Sequence, residues 1–125
     1  MSDRLFNVWK EFKFDSAHHL DAGSGGDPRY RRVHGHSYQV EVCLRGPRND
    51  RGWVADMGEL DRRLESVREA LDHRLLNDVE GLGAPTMENI ASFVWDFLSP
   101  MPQLHAVTVK RQQNGERCEF FGPSR

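Results

Sequence analysis

The stretch HGHSYQVEVCLRGP, residues 34–47, decides the fold. Tyr38, Val40, Val42 and Leu44 alternate with Gln39, Glu41, Cys43 and Arg45, the period-two pattern of a strand with one face on a core. Gly46 and Pro47 end it. His34 and His36 stand two residues apart at its start, so both imidazoles leave the same face.

Upstream, Phe6, Val8, Phe12 and Phe14 share one parity, and Trp9, Glu11 and Lys13 the other. That is a second half-buried strand, expected to end near Ser16. Between the two lies DAGSGGDPRYRR, residues 21–32, a loop rich first in glycine (Gly25-Gly26) and then in arginine. Downstream, DMGE places Asp56 as a helix N-cap with Glu59 three residues on, a capping-box spacing. Leu60, Leu64, Val67 and Leu71 then form one apolar stripe, opposite a solvated face of Arg62, Arg63, Glu65, Arg68 and Glu69. The run LDHRLLNDVEGLGAP breaks this helix. Thr86 caps the next, whose inner face is read as Ile90, Val94, Phe97 and Leu98, until Pro100 and Pro102 stop it. Two short strands close the chain, around His105–Lys110 and Arg117–Phe121, with Asn114-Gly115 as the turn signal between them.

The order β-β-α-α-β-β predicts an α+β fold: a four-stranded antiparallel sheet with two helices on one face. The other face is then wet or covered by partners, and aromatics such as Trp53 and Tyr38 near the edges favour self-association. A length of 125 residues suits one domain, spanning residues 1–125. Seventeen Lys and Arg against nineteen Asp and Glu give a net charge of -2, which argues against a general nucleic-acid binder while leaving room for a local basic pocket. No apolar run approaches the roughly 20 residues of a membrane span. The opening MSDRLFNVWKEF has no signal-like apolar stretch, so a cytoplasmic location is the default expectation. Cys43 and Cys118 form no CxxC pair and read as small core or sheet residues.

Chemistry points to the histidines. His34 and His36 can reach one metal ion, and His18, at the end of the first strand, can supply a third nitrogen if the two strands pair. Three His ligands with a fourth position open make the catalytic kind of zinc site. The HxH motif alone is weak, since two surface histidines on a strand look the same. His19 should point away from His18. Asp72-His73 closes the first helix, where the carboxylate can orient the ring; a plain C-terminal cap is the competing reading.

Five stretches then act together: FKFDSAHHL, VHGHSYQVEV, GWVADMGEL, LDHRLLND and PTMENIASFVWDFL. In order and spacing the chain resembles the 6-pyruvoyl-tetrahydropterin synthase and 6-carboxytetrahydropterin synthase (QueD-type) family. The resemblance implies a tunnelling fold (T-fold), trimers that close a barrel and stack as a hexamer, and zinc on His18, His34 and His36. It implies 7,8-dihydroneopterin triphosphate or a related pterin-like compound as substrate, an active site between subunits, and a lyase-type reaction. Asp72 and His73 match the family's catalytic pair, and Thr86 and Glu88 the start of its pterin-pocket helix. Two positions depart from the pattern. The family's catalytic cysteine falls on Tyr30, whose phenol has an ordinary pKa near ~10 against ~8.5 for a thiol. Tyr30 as general acid, Asp27 as substitute base, or loss of the step are the alternatives. The pterin-anchoring glutamate falls on Arg111, which donates where a carboxylate accepts; Glu116 or Glu119 nearby are candidates to compensate. A T-fold homologue that binds a pterin- or purine-like ligand without the family reaction is the rival reading. An enzyme whose Arg111 meets a substrate carboxylate or phosphate is another.

Overall fold

Alternation becomes two long strands, β1 (Phe6–His18) and β2 (His34–Gly46), each of 13 residues. A computed structural model describes residues 4–21 and 26–123; Gly25 of the expected glycine pair lies outside them. β1 and β2 pair antiparallel over their whole length, from Phe6 opposite Gly46 to His18 opposite His34. β3 (Leu104–Arg111) and β4 (Glu116–Phe120) complete an antiparallel sheet in the order β1-β2-β3-β4. The element order is the expected one, with β1 running two residues past Ser16.

α1 (Met57–Leu71) packs on β1, and α2 (Met87–Leu98) on β3 and β4. The predicted stripe Leu60, Leu64, Val67 and Leu71 is buried, against Phe14, Val40, Val42 and Val107 of the sheet. Each fully buried leucine contributes about 1.5–3 kcal/mol. On α2 the buried residues are Ile90, Ala91, Val94 and Leu98. Phe97 is instead 40% exposed: it sits at the margin of a stripe that the small Ala91 lets approach the sheet closely. Tyr38 is also misread as an edge aromatic, since its ring is buried and stacks on Phe14. Both cysteines are free, Cys43 buried and Cys118 half-buried.

Local chemistry fixes the ends. Asp56 caps α1 by accepting from the Gly58 amide at 2.8 Å. The other half of the capping box is not made, because Glu59 pairs with Arg63 one turn on. Thr86 caps α2, its hydroxyl accepting from the Asn89 amide. The β3–β4 connection is not a two-residue turn at Asn114-Gly115. Residues Gln112–Asn114 make one 3-10 turn, and Gly115 closes it with φ 69°, the left-handed conformation glycine adopts without strain.

Candidate metal centre and adjoining clefts

The β1–β2 register brings three imidazoles together. His18 lies opposite His34 and Ser16 opposite His36, all on the helix-covered face. One ring nitrogen from each of His18, His34 and His36 falls within 4.8 Å of the others. His18 is 1% exposed; the other two are half-buried.

Backbone carbonyls set the tautomers. His18 Nδ1 lies 2.8 Å from Pro85 O, and His34 Nδ1 2.7 Å from Arg32 O. A carbonyl only accepts, so both Nδ1 atoms carry the hydrogen and both Nε2 atoms present lone pairs. Those two Nε2 atoms face each other at 3.0 Å. Two lone pairs at that distance repel; a cation shared between them, a proton or a metal ion, removes the conflict. Burial lowers the pKa of His18, partly offset by the Pro85 carbonyl and reinforced by the charges of His34 and Arg111. His36 is pushed down to about 4 by burial, then by Arg111 and the other two histidines. Neutral rings are the ligating form. The residues present therefore fit a divalent metal held by imidazole nitrogens, with the carbonyls of Pro85 and Arg32 as the outer shell that orients the ligands. Neither carbonyl leaves any trace in side-chain identity.

Two clefts open beside the rings. One, of about 300 Å³, is lined by Tyr30, Thr86, Glu88, Arg111 and Glu116 together with all three histidines. The larger, of about 720 Å³, runs from His36 and Arg111 to His73 and Arg74. Tyr30 sits in a 3-10 turn (Pro28–Arg31) that Asp27 caps. Its carbonyl accepts from the Leu20 amide at 2.6 Å, which ties the turn to the end of β1. Asp27 is not brought to the histidines in this way. Its carboxylate is held by Arg29, at 2.5 Å to Nη2, and by the Arg29 amide, and its pKa is lowered to about 2. A carboxylate so committed is a poor substitute base.

Asp72 is the C-cap of α1 and a junction. It accepts from the Asp15 amide at 3.0 Å, from Arg68 at 3.1 Å and from His73 Nδ1 at 2.9 Å. The Asp15 amide is the main cause of its lowered pKa, with His73 and Arg68 adding to it. His73 has φ 56°, the one described non-glycine residue with positive φ, and its amide donates to Asp15 O. With Nδ1 donating to Asp72, Nε2 of the exposed ring is left as an acceptor. His19, by contrast, is anchored through its backbone: Asn77 accepts from its amide and donates to its carbonyl. Asn77, four residues beyond His73, carries no motif that marks it in the sequence.

Arg111 turns inward. Nη2 lies 2.8 Å from Glu116 Oε1 and Nη1 3.2 Å from His36 Nε2. Glu119 pairs with Arg117 instead. Residues 7–122 match the family described as 6-pyruvoyl tetrahydropterin synthase. The chain belongs to that family. It is 37% identical over 113 residues to the 6-carboxy-5,6,7,8-tetrahydropterin synthase of Synechocystis sp., covering 84% of this chain and 85% of the relative. It is 33% identical over 81 residues to the dihydroneopterin monophosphate aldolase of Pyrococcus furiosus, covering 65% of this chain and 64% of that one. The 6-pyruvoyl tetrahydropterin synthase of Caenorhabditis elegans superposes with a TM-score of 0.84 at 22% identity, covering 98% of this chain and 99% of that one. That likeness shows the fold, a T-fold. A 6-pyruvoyl tetrahydropterin synthase family scaffold thus carries differently named pterin activities among its relatives. Among the described residues no helix is long and apolar enough to cross a membrane.

Proposed function

We propose that this chain is a zinc-dependent lyase acting on 7,8-dihydroneopterin triphosphate or a closely related pterin-like compound. We place it in the cytoplasm as a homo-oligomer, a hexamer built as a dimer of trimers. One observation carries the reading: three clustered imidazoles, two of them fixed by carbonyls, open onto clefts lined by acid–base and hydrogen-bonding side chains. His18, His34 and His36 would hold the metal. When bound, zinc supplies Lewis-acid polarisation of substrate hydroxyl and carbonyl oxygens. The remaining work falls to the chain. Asp72 fixes the ring of His73 and leaves its Nε2 to take or return a proton in the larger cleft. Tyr30 presents its phenol hydroxyl to the smaller cleft. Thr86 and Glu88, at the start of α2, present a hydroxyl, amides and a carboxylate to the flat ring. Arg111 faces the same space as a donor.

A second reading is favoured by Tyr30 and Arg111 together: the ligand binds, but the family reaction is lost or changed. Binding of a pterin to the purified protein, with and without stoichiometric zinc, followed by product analysis, tests both. One zinc per chain with zinc-strengthened binding and turnover supports the enzyme. Binding without turnover supports the second reading. Absence of stoichiometric metal on protein supplied with excess zinc overturns the zinc-dependent reading.

A further inference from the structure

Arg111 ends β3 and lies opposite Glu116 in the β3–β4 ladder. Its side chain is 18% exposed, and the guanidinium spans two partners, the Glu116 carboxylate at 2.8 Å and His36 Nε2 at 3.2 Å. A guanidinium only donates, so the Nε2 lone pair of His36 is occupied by an N–H. That lone pair cannot at the same time bond a metal.

The placement is also incomplete. Arg111 Nε is buried with no hydrogen-bond partner, although the guanidinium lies close enough to the buried Tyr38 hydroxyl to interact with it by charge and by hydrogen bonding. A buried donor left unmatched destabilises the arrangement that buries it. The way out is open, because Arg111 lines both the 300 Å³ and the 720 Å³ clefts. Moving off His36 takes the guanidinium into an open cleft and not into the core. Glu116, which lines the smaller cleft, can keep its hold during that movement.

We propose that Arg111 is a displaceable internal cation: it caps the third metal ligand, His36, when no metal is bound, and must swing into the adjoining cleft, retained by Glu116, for the site to load. This rests on the reading of His18, His34 and His36 as metal ligands. Metal affinity is then set by a contest between two cations for one lone pair, and Arg111 holds it below what three imidazoles alone would give. A hydrogen bond involving a charged group is worth about tenfold to a hundredfold in an equilibrium constant.

The test is titration of metal-stripped full-length protein with zinc against a competing chelator. Arg111→Met, which keeps most of the volume and removes the donor, is expected to bind zinc about tenfold to a hundredfold more tightly than wild type. The nitrogen NMR signal of His36 Nε2 reads the contact directly. In metal-free wild type it should show an accepted hydrogen bond that Arg111→Met abolishes. Should the Arg111 variant fail to fold, the wild-type signal decides alone. A free-acceptor signal there overturns the proposal, as does equal zinc affinity of wild type and a folded Arg111→Met; either result leaves the metal reading standing. No zinc on any of the proteins overturns the metal reading and the proposal with it.

Discussion

Replacing Asp72 by asparagine tests whether the junction between α1, β1 and His73 is electrostatic. The carboxylate takes three donors: the Asp15 amide at 3.0 Å, Arg68 at 3.1 Å and His73 at 2.9 Å. An asparagine oxygen can keep the amide, but its NH2 then faces the other two donors. The amide bond loses its charge assistance, about 0.5–1.5 kcal/mol. The ion pair with half-exposed Arg68 loses about 0.2–1 kcal/mol. Together these give about 1.5 kcal/mol, a fall in Tm of about 5 °C for a chain of this size. The assay is denaturant unfolding of metal-free protein at one fixed chain concentration, since assembly would couple to stability. The pH dependence has a definite sign. The folded pKa of Asp72 lies below its ordinary value, so the stabilisation is fully present above the unfolded pKa of ~3.9 and is lost as pH falls through the lower folded value. The gap between wild type and Asp72→Asn should therefore close on acidification below the unfolded pKa. A gap below about 0.5 kcal/mol at neutral pH, or one that persists unchanged in acid, refutes the reasoning.

His34→Ala is expected to remove stoichiometric zinc while leaving the metal-free melting curve nearly in place, because the ligands sit at the end of the sheet beyond its apolar core; metal analysis and calorimetry on the same sample check both. Leu64→Ala should cost about 2–5 kcal/mol by cavity formation beneath α1, and a loss under 1 kcal/mol in urea unfolding would show that the stripe is not packed as described. Gly122 has φ 96°, and a Cβ there would lie 2.8 Å from the Trp95 ring; Gly122→Ala should lower Tm and shift the Trp95 emission, which fluorescence melting reads. Turnover of dihydroneopterin triphosphate by wild type should be slow, since a positioned acid–base group contributes about 10²–10⁴-fold. Tyr30→Cys with Arg111→Glu should raise it more than either change alone, and robust wild-type turnover would instead make Tyr30 or His73 a sufficient base.

What could be read in the chain beforehand was whatever period encodes. Tyr38, Val40, Val42 and Leu44, and Leu60, Leu64, Val67 and Leu71, repeat with the spacing of the faces they bury. His34 and His36 were legible for the same reason. That His18 joins them depends on register, and periodicity within one strand does not fix its partner's offset. Arg111 was legible as a departure from the family pattern, but its contact with His36 required β3 to lie beside β2. The carbonyls of Pro85 and Arg32 were invisible because every residue owns one. Phe97 was overcalled since a helical stripe has a width, and a residue on its margin reads the same as one at its centre.

Because His18 and His34 are cross-strand neighbours, the metal-site geometry belongs to the ladder and not to the segment that joins the strands. The connection can therefore change length with little effect on where the three side chains leave the sheet, provided the Arg32 carbonyl still meets His34 Nδ1; doubling such a loop costs only about 0.6 kcal/mol of closure entropy. One residue inserted inside β1, between Phe14 and His18, would turn His18 to the opposite face and abolish the site. Insertions and deletions are thus sorted by position. Any such change must keep the Leu20–Tyr30 hydrogen bond, which holds the exit of the connection in place. A descendant of this chain can remodel what arrives at the histidines without having to rediscover them.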